Sequence, residues 1–386
     1  MKRLTCCLLA ASVLAATAAF AQSAGITASD PIHYPQGIYA GEVAGVATNS
    51  KGHVFVYQRT GNPYATIGSS RLFVHGQDQL LEFDAAGKFV REIGKGNYAW
   101  LVANSVRVDS HDNIWAVDRY SGMVLKFSPD GSQLLMLLGR KPESINVTIV
   151  GRPAAGGRGP GGEALAAAGG APAGAPAAAQ AAGAAPAGAP AAEGGRRRGP
   201  AGAGAQQDVF TGASDVAWDA DGNIFVSDGF GGDNRIAKFT SDGVFVASFG
   251  KTGSDNDSLD SPRSIATDAT GNVYVADHNN HRVQVLSNDL QHVVRTITGV
   301  GDPWAVCISP GAHPYLYVSN SNPMNDLDHG GEIYRAELDG TVLDRFGSAG
   351  KAPEQFATVN QMDCRQPNTL YTAEAGAYRV QKVKLR

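Results

Sequence analysis

One phrase returns six times along this chain, and that repetition constrains its fold more than any other feature. VAGVATNSKGHVFVYQ (43–58), ANSVRVDSHDNIWAVD (103–118), ASDVAWDADGNIFVSD (213–228) and PRSIATDATGNVYVAD (262–277) align without gaps. PWAVCISPGAHPYLYVSN (303–320) aligns with two extra residues in its turn, and VNQMDCRQPNTLYTAE (359–374) is the sixth copy. Each copy is an alternating run, a turn and a second alternating run, the period-two pattern of strands with distinct faces. Turns such as DADGN and DATGN supply the Gly and Asn that tight hairpins need. A third run follows each time (QLLEFD, MVLKFS, RIAKFT, RVQVLS, EIYRAE, RVQKVK), then a turn and usually a fourth run such as FVREIG or FVASFG. Four short strands per unit, with units mostly about 40 to 60 residues apart, predict an all-β, six-bladed propeller.

The sixth copy has no fourth run before the chain stops at Arg386. An N-terminal run around 31–40 (PIHYPQGIYA) is expected to supply that outer strand, where Pro31 and Pro35 suit an edge. Closing the ring removes the open edges that make sheets adhesive. The one outsized gap, between the second and third copies, holds residues 152–206, which are Ala, Gly and Pro with almost nothing else. Without aromatic or β-branched side chains this stretch cannot bury enough to offset its ordering entropy, so it reads as a disordered insertion within a single propeller domain, 22–386.

The opening MKRLTCCLLAASVLAATAAFA has two basic residues, an apolar run and small residues at Ala19 and Ala21. It reads as a signal peptide, 1–21, cut after Ala21, which makes the protein secreted or periplasmic. The run is too short and alanine-rich for a membrane span. With 386 residues, 43% of them hydrophobic, the chain can bury a large core, and a net charge of −4 gives no reason to expect nucleic acid. A monomer is expected. Cys6 and Cys7 leave with the leader. Cys307 and Cys364 remain, and buried thiols are the expectation, although an oxidising compartment would allow a disulfide.

In a propeller the first strand of each blade lines the central channel, and the residue at its entrance stands at the channel mouth. In copy order these are Ala44, Asn104, Ser214, Arg263, Trp304 and Asn360. The loops between second and third strands open on the same face, with Arg59, Phe230, His278 and the long 320–331 loop, and the insertion emerges there too. That mouth is the expected ligand site. Two guanidinium groups, Arg263 with Arg59 near it, flanked by Asn104, Asn360 and Ser214, would favour a carboxylate, phosphate or sulfate, with Trp304 and Phe230 as an apolar wall. The competing structural reading pairs Arg263 with an acid such as Asp215.

RVQVLS, preceded by Asn280-His281, is a typical third strand of an NHL repeat, and the blades resemble that type. The order of GVATNSKGHVFVYQR, IFVSDGFGGDNRIAKF and TLYTAEAGAYRVQKVKL resembles the peptidyl-α-hydroxyglycine α-amidating lyase family, a secreted six-bladed NHL propeller. The resemblance implies a channel zinc held by three histidines at first-strand entrances of alternate blades. Here those positions are Asn104, Arg263 and Asn360, none of them histidine. Zinc wants His, Cys or carboxylate ligands, and a guanidinium repels a cation. The family's active-site arginine matches Arg59, and its active-site tyrosine matches Phe230, which lacks the hydroxyl.

DADGN at 219–223 begins like a calcium loop but has Phe230 where the bidentate acid belongs, so Asp109, Asp219 and Asp268 are expected to cap turns. His278 and His281 are expected in a solvated loop, and Trp115 and Trp218 in the core. Arg152, Arg158 and Arg196–Arg198 would make the insertion a basic arm able to touch anionic envelope polymers. Two functions stay open. One is a non-catalytic exported propeller, without cofactor, that binds a small anionic ligand or an envelope protein or polymer. The other is an amidating-lyase-like enzyme with an altered or absent metal site, and only that reading calls for zinc or calcium.

Overall fold

The computed structural model describes residues 25–61, 64–67, 71–74, 77–140, 209–321 and 326–386. The leader and the 152–206 insertion lie outside the described residues. Strand β1 (Ile26–Ser29) precedes six repeated units. Blade one holds β2 (Glu42–Thr48), β3 (Val54–Arg59), β6 (Gln79–Phe83) and β7 (Phe89–Ile93), with a hairpin of β4 (Tyr64–Ile67) and β5 (Arg71–Val74) between β3 and β6. Blade two is β8 (Ala103–Val108), β9 (Ile114–Asp118), β10 (Met123–Phe127) and β11 (Leu134–Gly139). Blade three is β12 (Ala213–Trp218), β13 (Ile224–Asp228), β14 (Arg235–Phe239) and β15 (Phe245–Phe249). Blade four is β16 (Pro262–Thr267), β17 (Val273–Asp277), β18 (Arg282–Leu286) and β19 (Val293–Ile297). Blade five is β20 (Pro303–Ile308), β21 (Leu316–Asn320), β22 (Glu332–Ala336) and β23 (Val342–Phe346). Blade six is β24 (Val359–Asp363), β25 (Thr369–Glu374) and β26 (Arg379–Leu385), and β1 completes it. The fold is the six-bladed all-β propeller that the repeats predict.

The closing strand lies earlier than expected. Residues 26–29 pair with β26, Ile26 opposite Leu385 and Ser29 opposite Lys382, not residues 31–40. The 31–40 segment instead runs to blade one, where the His33 amide bonds Gly87 O and Tyr34 packs edge-on to Phe83. ITAS alternates half-buried and exposed, as an edge requires, and it lacks the prolines that misdirected the reading toward 31–40.

Apolar clusters lie between neighbouring blades. Trp115, Val117 and Val124 of blade two pack on Val216, Val226 and Phe239 of blade three. The middle strands are therefore buried on both faces: β9, β13 and β17 are buried throughout, whereas outer β15 alternates with solvent. The turn carboxylates do what their spacing predicts. Asp109, Asp219 and Asp268 accept the amides two and four residues on. Trp115 is buried and stacks on Trp218 at 5.7 Å.

Cys307 of β20 and Cys364, just past β24, form a disulfide with Cα atoms 6.2 Å apart, which corrects the expectation of separate thiols. The two lie 57 residues apart in sequence, so only the side-by-side packing of two inner strands brings them together.

A second repeated device ties first strand to second in four of the blades. Asp118, Asp228, Asp277 and Glu374, at second-strand ends, accept amides of the loop leading into their own blade. In blades three, four and six the residue directly across is an arginine (Arg235, Arg282, Arg379) that pairs with the acid. In blade two the residue across from Asp118 is Met123.

Candidate functional site

The mouth is built by a bulge repeated in every blade. The pairing of first and second strands slips at the entrance, between Val43 and Gly45, Ala103 and Ser105, Ala213 and Asp215, Pro262 and Ile265, Pro303 and Val306, and Val359 and Gln361. The skipped residues include all six entrance positions: Ala44, Asn104, Ser214, Arg263, Trp304 and Asn360. A bulge leaves its extra residue out of the ladder and re-aims it, which here turns these residues toward the channel.

Three of them close the channel as a polar belt. Asn360 Nδ2 donates to Ala44 O at 2.6 Å and to Asn104 O at 2.8 Å, and its Oδ1 accepts Trp304 Nε1 at 3.0 Å. Asn104 Nδ2 donates to Ser214 O at 2.5 Å, and Ser214 Oγ donates to Pro262 O at 2.8 Å. Each bond crosses between blades. Apart from the half-buried Phe230, the expected site residues run from 0% exposed at Ser214 to 8% at Arg59.

Against this belt sits a stack of rings and cations. The Arg263 guanidinium carbon lies 4.0 Å from the Phe230 centroid and 4.6 Å from the Trp304 ring. A second guanidinium, Arg119, lies 4.7 Å from the same phenyl ring. His278 meets Trp304 edge-on at 4.7 Å. Burial, reinforced by the Arg263 charge, lowers the His278 pKa to about 4, so the imidazole is neutral at ordinary pH. The solvated-loop expectation holds for His281 and fails for His278, which is half-buried. Cation–π contacts of this kind keep a guanidinium charged in a site poor in water.

The structure brings Arg263, Phe230, Trp304 and Asn360 together. Arg59 Nε donates to Ala103 O at 2.7 Å and Nη1 pairs with Glu42 at 3.2 Å, at the seam of blades one and two. A second cation at the mouth is Arg119, which sequence reasoning missed; it follows the second strand of its blade directly, as His278 does. Asp215, the acid suggested for Arg263, is gripped by Arg107.

Arg107 was missed as well. It is the penultimate residue of β8, and its side chain crosses the axis. Nε and Nη2 grip Asp215 at 3.1 and 2.5 Å, and the guanidinium also donates to Met362 O, Ile265 O, Val306 O and Ser264 Oγ at 3.3 to 3.5 Å. One side chain from blade two thus reaches blades three, four, five and six. Beside it Gln361 Oε1 accepts the amides of Val46 and Val106, both at 3.0 Å. A Cβ at Gly45 would fall 2.8 Å from that oxygen, so glycine is required there.

Open space lies at the other end of the channel. A cavity of about 190 Å³ is lined by Trp218, Thr267, Ile308, Asp363, Arg365 and the disulfide, with Arg107 at its base. Its polar groups are committed: Asp363 to Thr48, Arg365 to Val108 O, and Arg107 as above. Two guanidinium groups among aromatic rings lie at the mouth.

The zinc positions implied by the family resemblance do not fit a metal. Asn360 has its Nδ2 on two backbone carbonyls and its Oδ1 on Trp304, Asn104 offers a lone amide oxygen, which is a poor zinc ligand, and Arg263 is cationic. Among the described residues no group of three or more His, Cys, Asp or Glu is placed to hold an ion.

Residues 259–286 match the family model described as NHL repeat, a segment that carries both Arg263 and His278. The chain is a six-bladed propeller with an NHL repeat. It is similar to NHL repeat-containing protein 3 of Mus musculus, 28% identical over 45% of this chain and 50% of that protein. The Homo sapiens protein of the same name is 30% identical over 42% of this chain and 46% of its own length. The chain thus matches about half the length of these curated relatives. Among solved structures, a protein of unknown function from Bacteroides thetaiotaomicron superposes with a TM-score of 0.55 at 11% identity, covering 94% of this chain and 76% of that one. Virginiamycin B lyase from Staphylococcus aureus superposes with a TM-score of 0.50, also at 11% identity, over 94% of this chain and 99% of its own. At such identity these likenesses speak for the propeller fold alone. Among the described residues of this NHL-repeat propeller, no helix is long and apolar enough to cross a membrane.

Proposed function

We propose that this protein is an exported, non-catalytic NHL-repeat propeller that binds a small anionic ligand, of carboxylate or phosphate type, at the channel mouth. The observation that carries the reading is the Arg263 guanidinium set against Phe230 and Trp304, with Arg119 on the same phenyl ring. Planar guanidinium groups match carboxylate and phosphate geometry. The half-buried Phe230 and Arg119 are the accessible part of the stack. Export is supported by the leader-like opening and by the Cys307–Cys364 disulfide, a bond that persists in oxidising compartments. The amidating-lyase alternative is disfavoured by the side chains at its three metal positions and by the missing hydroxyl at Phe230. An envelope polymer as partner would rest on the basic residues of the insertion.

The test is titration calorimetry with inorganic phosphate and with acetate, alongside metal analysis and an assay on a peptidyl-α-hydroxyglycine. Arg119→Ala, at a half-buried position, and Arg263→Ala should each weaken anion binding roughly 10- to 100-fold, the value of one charge-assisted pair. Affinity unchanged in both variants would remove the mouth as the site. Stoichiometric zinc with turnover would establish the lyase instead.

A further inference from the structure

Blade two lacks the arginine that neutralises the second-strand acid in blades three, four and six, and a second acid comes to it from blade one. Three successive backbone amides hold the two carboxyl groups side by side. Leu101 N and Val102 N donate to Asp118 Oδ2, both at 2.7 Å, and Ala103 N donates to Asp78 Oδ2. Both groups are enclosed, Asp118 at 0% and Asp78 at 6% exposed. We propose that Asp78 and Asp118 share one proton across the seam of blades one and two, forming a pH-sensitive latch at the mouth face.

The bonding assigns the proton. Burial raises the Asp118 carboxyl too, but it accepts four backbone amides, those of Leu101, Val102, Tyr120 and Ser121, which favour its charged form. Asp78 has the Ala103 amide and faces Asp118, so it keeps the proton and donates it. Burial, then the neighbouring Asp118 charge, lift the Asp78 pKa to about 8, with Arg59 opposing. Two further titratable groups facing the pair belong to blade one. Tyr57 on β3 is held un-ionised by burial and by the two acids. Arg59 is turned partly toward Glu42 of β2.

The latch grips what the mouth depends on. Asp78 holds the amide of Ala103 and Arg59 holds its carbonyl, and the next residue is Asn104 of the polar belt. The chain between Arg59 and Asp78 carries the β4–β5 hairpin, so the same contact closes the base of that excursion. Removing the shared proton places two carboxylates together in a buried site, which loosens the seam.

The direction with pH follows from linkage. The folded protein holds a proton on Asp78 that the unfolded chain releases at an ordinary carboxylate pKa. The contribution is fully present in acid and is lost as pH rises toward about 8. Thermal unfolding is measured from pH 5.5 to 9 for the full chain and for Asp78→Asn, whose amide can donate to Asp118 and accept from Ala103. The wild-type Tm should fall across this range relative to the variant. The two should agree within about 2 °C at pH 5.5, and Asp78→Asn should be higher by at least about 3 °C at pH 9. Parallel curves would overturn the proposal, because a merely structural Asp78 costs the same at every pH. Should the variant fail to fold, Trp100 fluorescence in the unaltered chain decides. Trp100 packs on Tyr57 with ring centroids 5.1 Å apart, and its signal, referenced to Trp100→Phe, should titrate near pH 8. A flat signal between pH 7 and 9 would overturn the proposal.

Discussion

Replacing Arg107 tests whether one axial side chain ties the blades together. Arg107→Met keeps the length of the side chain and removes the guanidinium. It deletes the bidentate grip on Asp215 and the donors to Met362, Ile265, Val306 and Ser264. Asp215, whose side chain is 2% exposed, stays behind with Ser264 Oγ and the amides of Val216 and Ile265. Burial disfavours the Arg107 charge, but Asp215 and Asp363 outweigh it and hold the group above its ordinary pKa, so a full ion pair is lost. Removing one partner of such a pair costs about 3–5 kcal/mol, because a buried charge is left uncompensated. With unfolding entropy near 2.1 cal/mol/K per residue and roughly 280 described residues, that corresponds to a Tm lowered by about 5–8 °C. The assay is calorimetry and urea unfolding of the wild type, Arg107→Met, Asp215→Asn and the double variant. The double variant should lose less than the sum of the single ones, with a coupling of roughly 2 kcal/mol or more. The deficit should persist in high salt, since a buried pair is little screened. A Tm within 1 °C of wild type, or additive losses, would refute the claim that Arg107 braces the axis.

Two further outcomes follow from the geometry. Replacing Cys307 and Cys364 by serine should lower stability by at most about 4 kcal/mol, the chain-entropy value for a 57-residue separation, and reductant should lower the wild-type Tm but not the variant's. An unchanged Tm under reductant would mean that the bond contributes nothing. His278 should titrate near pH 4 by NMR. Its folded pKa is depressed, so its contribution to stability is lost as pH falls from about 6.5 through 4, and Arg263→Ala should move the midpoint upward. A midpoint near 6.5 in the wild type would show that the Trp304–Arg263 stack is open to water.

The mouth was legible where local pattern decides position. Arg263, Trp304 and Asn360 open alternating runs that recur in register, so their shared place at one channel end follows from the repeat. Arg119 escaped because nothing local distinguishes a loop cation that turns inward from one that faces solvent. Arg107 escaped because a charged residue within an inner strand signals an axial position without saying which acid it meets. Asp215, which sequence reasoning gave to Arg263, lies 108 residues from Arg107.

The amino-acid order by itself determined the strands, their turns, the count of blades and the closed ring, because these rest on period-two alternation and on turn residues acting within a few positions. Only the tertiary structure decided that residues 26–29 rather than 31–40 close blade six, that Cys307 meets Cys364, and that Asp78 meets Asp118. Each of these joins chain segments brought together by ring closure or by the packing of neighbouring blades. No spacing in the sequence encodes contacts of that kind, since every blade presents the same edge and the same inner strand to its neighbour. The choice among equivalent partners is made by the curvature of the whole ring.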